Sequence, residues 1–131
     1  MIWKMEKGKG KSLGLTVLVA EDEFLRFVKN VFERSGFDVL GYDNAQSAFE
    51  TIKGGVSYDL LVTDLRFEQH RRLITYDGTD IINISRTLNP KIPIVVSSAY
   101  DHAPDGVSLF LEKPLFWDEE MGRIKRLVSS R

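Results

Sequence analysis

Four short apolar runs in this sequence each end in polar groups that can do phosphate or metal chemistry. Val17-Leu18-Val19-Ala20 leads into Glu21-Asp22-Glu23, and Leu60-Leu61-Val62-Thr63 into Asp64. Ile94-Val95-Val96 leads into Ser97-Ser98-Ala99, and Leu109-Phe110-Leu111-Glu112 into Lys113-Pro114. If the runs are parallel strands, all these groups emerge on one edge of one sheet. Glu21, Asp22 and Asp64 brought together repel one another unless a cation intervenes. Hard oxygen donors with no histidine or thiolate nearby favour Mg²⁺, with Mn²⁺ or Ca²⁺ as substitutes. Lys113 adds a mobile positive charge suited to a phosphoryl oxygen, and Ser98 a hydroxyl that can donate to one. The set fits phosphoryl transfer to a carboxylate.

The elements that must position these groups alternate along the chain. Residues 15–20 read as a buried strand. Over 23–35, Phe24, Leu25, Phe27, Val28, Val31 and Phe32 recur at helical spacing, and Gly36 stops the helix. Residues 39–42 read as a strand, and Asn44 as the N-cap of a helix through Lys53, closed by Gly54-Gly55. Residues 59–63 form a third strand and 77–88 a helix with Ile81, Ile82 and Ile84 inward, ending before Asn89-Pro90. Residues 93–98 and 108–112 are the last strands. The final helix starts near Leu115 with Trp117, Met121, Ile124 and Val128 on one face. Buried strands alternating with amphipathic helices predict an α/β fold, a parallel sheet covered on both faces. Ligands of such sheets bind at the carboxyl ends of the strands, beside the topological switch point.

With 131 residues the chain makes one domain, and its apolar content of 43% and charged content of 28% suit a globular protein. A net charge of −1 gives no electrostatic case for nucleic acid or a membrane surface. The absence of cysteine excludes disulfides and thiol catalysis. With no membrane span and no signal-peptide pattern, a cytoplasmic location is expected. Residues 1–12 are basic, glycine-containing and aperiodic, and read as a flexible arm ahead of a domain at 13–131.

The motifs at 17–23, 60–65, 92–100 (Ile-Pro-Ile-Val-Val-Ser-Ser-Ala-Tyr) and 110–115 (Phe-Leu-Glu-Lys-Pro-Leu) together resemble the receiver domain of two-component response regulators. The resemblance covers residues 15 to about 130. It implies the flavodoxin-like strand order 2-1-3-4-5. It also implies that Asp64 is the phospho-acceptor, taking phosphate from a kinase histidine. Asp22 is then a direct Mg²⁺ ligand, Glu21 a second acidic position, and the backbone carbonyl of Arg66 a third ligand beside Asp64 itself. Ser98 matches the switch hydroxyl, Lys113 the lysine that pairs with the acceptor, and Phe110 the rotamer-switching aromatic. Arg66 and Tyr100 fall at the positions that tune phosphate lifetime. The implied partners are a histidine kinase or histidine phosphotransfer protein and a downstream protein. In the family, helix 1 supplies the kinase-docking face, to which part of the wide stripe Phe24, Leu25, Phe27 and Phe32 would belong.

Two stretches depart from that family. After the acceptor, residues 67–76 make a longer loop before Asp77-Gly78 than the family has, bringing His70, Arg71 and Arg72 near the site. Between Ser98 and Ser108 only nine residues remain, too few for a parallel crossover with a full helix. The family's fourth helix is therefore expected to be missing or reduced. His70 and His102 read as solvated loop residues.

The leading expectation is a stand-alone receiver that is not itself an enzyme and switches partner binding. The alternative is a receiver-like interaction scaffold that is never phosphorylated. A phosphatase of the haloacid-dehalogenase type would want a second acid at position 66, where this chain has Arg. A flavin-binding module would not tolerate Glu21-Asp22-Glu23 in its phosphate loop.

Overall fold

The computed structural model describes residues 11–67, 76–99, 103–113 and 115–129. The residues 68–75, with His70, Arg71 and Arg72, lie outside the described part, as do Tyr100, His102, Pro114 and most of the basic N-terminal arm.

Five strands form one parallel sheet: β1 (Thr16–Ala20), β2 (Asp38–Tyr42), β3 (Leu60–Asp64), β4 (Ile94–Ser98) and β5 (Leu109–Glu112), in the order β2-β1-β3-β4-β5. The central strands are apolar on both faces because helices cover both. Helices α1 (Leu25–Arg34) and α4 (Trp117–Ser129) lie on one face, and α2 (Ala45–Lys53) and α3 (Gly78–Leu88) on the other. On the first face Val17, Val19, Val62 and Val95 pack with Phe32, Trp117 and Ile124; on the second, Leu18, Leu61 and Ile94 pack with Ala48, Ile52 and Ile81.

Local chemistry sets the helix ends. Asn44 caps α2 by accepting from the Ser47 N–H at 2.8 Å. Asp77 and Asp80 form a reciprocal capping box at α3. Helix α1 begins at Leu25, later than the apolar spacing predicts, since Phe24 stands at the N-cap with no side-chain oxygen to offer the first turn. Gly36 ends α1 at φ +102°; a Cβ there would also lie 2.2 Å from the Lys11 carbonyl oxygen. Helix α4 starts at Trp117 rather than near Leu115 and buries Trp117, Met121, Ile124 and Val128 as its spacing predicts.

Among the described residues of the β4–β5 connection there is a turn at Asp105-Gly106 and no helix. The fourth helix of this molecule, α4, follows β5. Arg86 reaches from α3 to the Gly106 carbonyl of this connection.

Candidate functional site

The chain leaves β1 toward β2 on one side and returns to β3 on the other, so the switch point of the sheet lies between the carboxyl ends of β1 and β3. Glu21 and Asp22 follow β1, and Asp64 ends β3. Lys113 follows β5 and reaches back across the sheet edge to them. Its Nζ donates to Asp64 Oδ2 at 2.9 Å and to Glu21 Oε2 at 3.2 Å. The remaining oxygen of Asp64, Oδ1, accepts the Leu65 N–H at 2.7 Å and the Arg66 N–H at a longer 3.4 Å. Asp64 is thus held from both sides, by a charge and by the backbone that follows it.

Burial makes these charges matter. Glu21 is almost fully buried. Its pKa is raised by burial, which the charge of Lys113 opposes and that of Asp64 reinforces. Burial would pull the Lys113 ammonium down, but its hydrogen bond to Asp64 and the charges of Glu21 and Asp64 prevail, so its pKa is raised and it stays cationic. The Lys113 ammonium also lies 5.8 Å from the centre of the Phe24 ring, a cation–π distance.

Glu21, Asp22, Asp64, Arg66 and Lys113 line a cavity of about 200 Å³. The sequence predicts that the three acids converge. In the structure they share this cavity, yet among the described residues no three His, Cys, Asp or Glu side chains stand close enough to hold a metal ion. Lys113 sits between Glu21 and Asp64 instead. The donor set is nevertheless all oxygen and carries more negative than positive charge. That suits Mg²⁺, which keeps several waters and takes one or two carboxylates.

Ser98 is fully buried, and its carbonyl accepts the Lys113 N–H at 2.7 Å. It follows Val96 by two residues, so it faces the α2/α3 side, where Val96 and Phe110 pack. Phe110, half-buried, pairs in register with Val96.

Three contributors were not singled out by the sequence. Gly78, at the first position of α3, donates its N–H to the Leu65 carbonyl at 2.8 Å. A Cβ there would lie 2.1 Å from the Asp64 carbonyl oxygen, so only glycine lets α3 approach β3 so closely. Asp77 Oδ1 accepts the Phe67 N–H at 3.4 Å, which brings residues 67 and 77 together across the connection between β3 and α3. Ser97 is fully buried and lies directly across from Asp64 in the ladder. An Asp-Gly pair is a readable signal for the first of these; nothing in a run of two serines singles out one.

Beside the site, Phe24, Phe27, Val28, Leu115 and Trp117 line a groove of about 390 Å³ that ends on Glu21 and Lys113. Phe24 and Phe27 are 52% and 54% exposed. No helix of the described residues is long and apolar enough to cross a membrane.

No protein-family model matches this sequence, and no curated protein matches it. Solved structures do. The response regulator receiver protein from Sinorhizobium medicae WSM419 is similar at TM-score 0.73 and 29% identity, over 88% of this chain and 95% of that one. The Francisella response regulator 1452 receiver domain is similar at 0.73 and 26%, over 88% and 98%. The response regulator protein TrrA from Thermotoga maritima, in complex with Mg²⁺ and BeF, shares the fold at 0.71 and 20%, over 86% and 98%.

Proposed function

The chain is a response-regulator receiver domain in fold, and from that premise we propose that Asp64 accepts a phosphoryl group from a phosphohistidine in a Mg²⁺-dependent reaction. One observation carries this reading. A carboxylate at the switch point is clasped by a partly buried lysine at 2.9 Å and by the backbone N–H behind it. A carboxylate so held is oriented without a search at the moment of attack.

In the transfer, an Asp64 oxygen bonds to phosphorus as the phosphorus–nitrogen bond breaks and its electron pair leaves on the donor imidazole. Lys113 then turns part of its charge from Asp64 to the phosphoryl oxygens, at no cost in desolvation already met in the resting site. Asp22, Asp64 and the carbonyl of Arg66 would hold the Mg²⁺ directly and Glu21 through a water, with further waters completing its shell. The ion, when bound, neutralises charge on the transferring group. Ser98 is the hydroxyl that moves toward the new phosphate, and Phe110, on the same face of the sheet, follows it. Arg66 and Tyr100 set how long the phosphate survives. The domain is a signalling element rather than an enzyme with its own substrate.

The donor is a histidine kinase or a histidine phosphotransfer protein. The aromatic groove between α1 and the start of α4 supports an approach from that side, because it opens next to the acceptor and leaves Phe24 and Phe27 exposed. Phosphoryl output then changes binding to a downstream protein.

Labelled phosphate presented on a panel of autophosphorylated histidine kinases tests the reading. The wild type should take the label from at least one donor, and Asp64→Asn from none. Equal labelling of Asp64→Asn would place the phosphate elsewhere. A wild type that binds the donors and takes no label would favour the unphosphorylated scaffold.

A further inference from the structure

Ser97 is fully buried, and its Oγ has no hydrogen-bond partner among the described residues. A buried hydroxyl without a partner is destabilising, whereas alanine would leave nothing unpaired there. Its position bears on the site. Val62, Val95 and Leu111 all pack into the core beneath α1 and α4. Residues two further along each strand emerge on the same face, so Asp64, Ser97 and Lys113 share it. In register, Ser97 stands between Asp64 of β3 and Leu111 of β5. Neighbouring strands lie about 4.8 Å apart, so a rotation about χ1 brings the hydroxyl within reach of the adjacent carboxylate. Ser98 faces the opposite side of the sheet, so the two serines do different work.

Asp64 has room for such a donor. Its oxygens accept from Lys113, Leu65 and, weakly, Arg66, while an ionised carboxylate offers about four lone-pair positions. We infer that Ser97 is a positioning residue of the acceptor site. Its hydroxyl donates to the Asp64 side chain as Lys113 turns toward the incoming phosphoryl group, and so keeps the carboxylate in line. No bond to Ser97 forms or breaks. The inference rests on the phospho-acceptor reading of Asp64.

The test follows phosphoryl gain over time by intact mass, with acetyl phosphate and Mg²⁺, for wild type, Ser97→Ala and Ser97→Thr, together with their melting temperatures. Ser97→Ala should be phosphorylated about three- to tenfold more slowly, the effect of one hydrogen bond. Ser97→Thr, which keeps the hydroxyl, should stay within about twofold of wild type. Ser97→Ala should melt no lower than wild type, since it removes an unpaired group. Equal rates for wild type and Ser97→Ala would overturn the inference. So would an equally slow Ser97→Thr, or a Ser97→Ala that melts well below wild type, which would reveal a purely structural bond. A wild type that gains no phosphate refutes the acceptor reading itself, a different result from a fast Ser97→Ala.

Discussion

Lys113 is the residue on which the site balances, because it is the cation shared by two carboxylates that burial has brought together. Its folded pKa is raised, so the stability it contributes is fully present below its unfolded value of about 10.4 and is lost as pH rises through the folded one. Glu21 is also raised, so its burial weighs on the fold more as pH climbs out of the acid range. Replacing Lys113 with Met leaves Glu21 and Asp64 with no cation between them. At pH 7 this should cost about 1–3 kcal/mol, below the usual figure for a broken buried pair because the site is open to solvent on one side. The deficit should shrink as pH falls into the acid range, where Glu21, whose pKa is raised, takes up a proton and the repulsion is relieved. Urea unfolding of both proteins across pH measures it, and a deficit that does not change with pH would mean that charge is not its cause. At this scale much was readable. Glu21, Asp22, Asp64 and Lys113 stand out as charged groups at the ends of apolar runs, whereas Ser98 is set apart from Ser97 only by its match to the motif at 92–100. Ser97 carries no such mark, since strand alternation alone puts one serine on the face of Asp64 and the other on the far face, and that is known only once the register is.

Elements decide how finely those residues are aimed. Helix α3 starts against the backbone of Asp64 and Leu65, and Gly78 makes the approach possible. A Cβ at Gly78 would lie 2.1 Å from the Asp64 carbonyl oxygen and 2.7 Å from the Leu65 Cα. Neither can yield, since both are backbone. Gly78→Ala should therefore push α3 outward, lower stability by about 1–3 kcal/mol and slow phosphorylation of Asp64. Asn83→Ala, on the exposed side of the same helix, should do neither. Melting and phosphorylation time courses on the two variants check this, and a Gly78→Ala protein with wild-type kinetics would show that the close approach does not aim the acceptor. Asn44, Gly36 and the isoleucines of α3 made these elements legible through caps, stops and spacing. The start of α1 was less so, since Phe24 continues the apolar spacing while standing outside the helix and over the lysine. The nine residues between Ser98 and Ser108 were too few for a crossover helix, a limit of chain length that needs no structure to state. That Arg86 bonds the Gly106 carbonyl depends on two segments far apart in sequence and could not be read from either.

Across the whole molecule, a sheet ordered β2-β1-β3-β4-β5 collects onto one edge groups that are far apart in the chain. Lys113 and Glu21 are 92 positions apart yet share an ion pair. The alternation of apolar runs and amphipathic stretches predicts a parallel sheet covered on both faces, while the strand order follows only from the resemblance to receiver domains. The same geometry sets an aromatic groove beside Glu21 and Lys113, on the side where Phe24 and Phe27 remain exposed. The sequence shows their apolar excess on α1, but exposure is a property of the packed molecule. The central claim is that this edge is a phospho-acceptor site built on Asp64. Intact mass after incubation with acetyl phosphate, with and without Mg²⁺, tests it most directly, with Asp64→Asn as the control. The wild type should gain one phosphoryl group, only with Mg²⁺, and Asp64→Asn none. No gain by the wild type with Mg²⁺, or the same gain by Asp64→Asn, would contradict it.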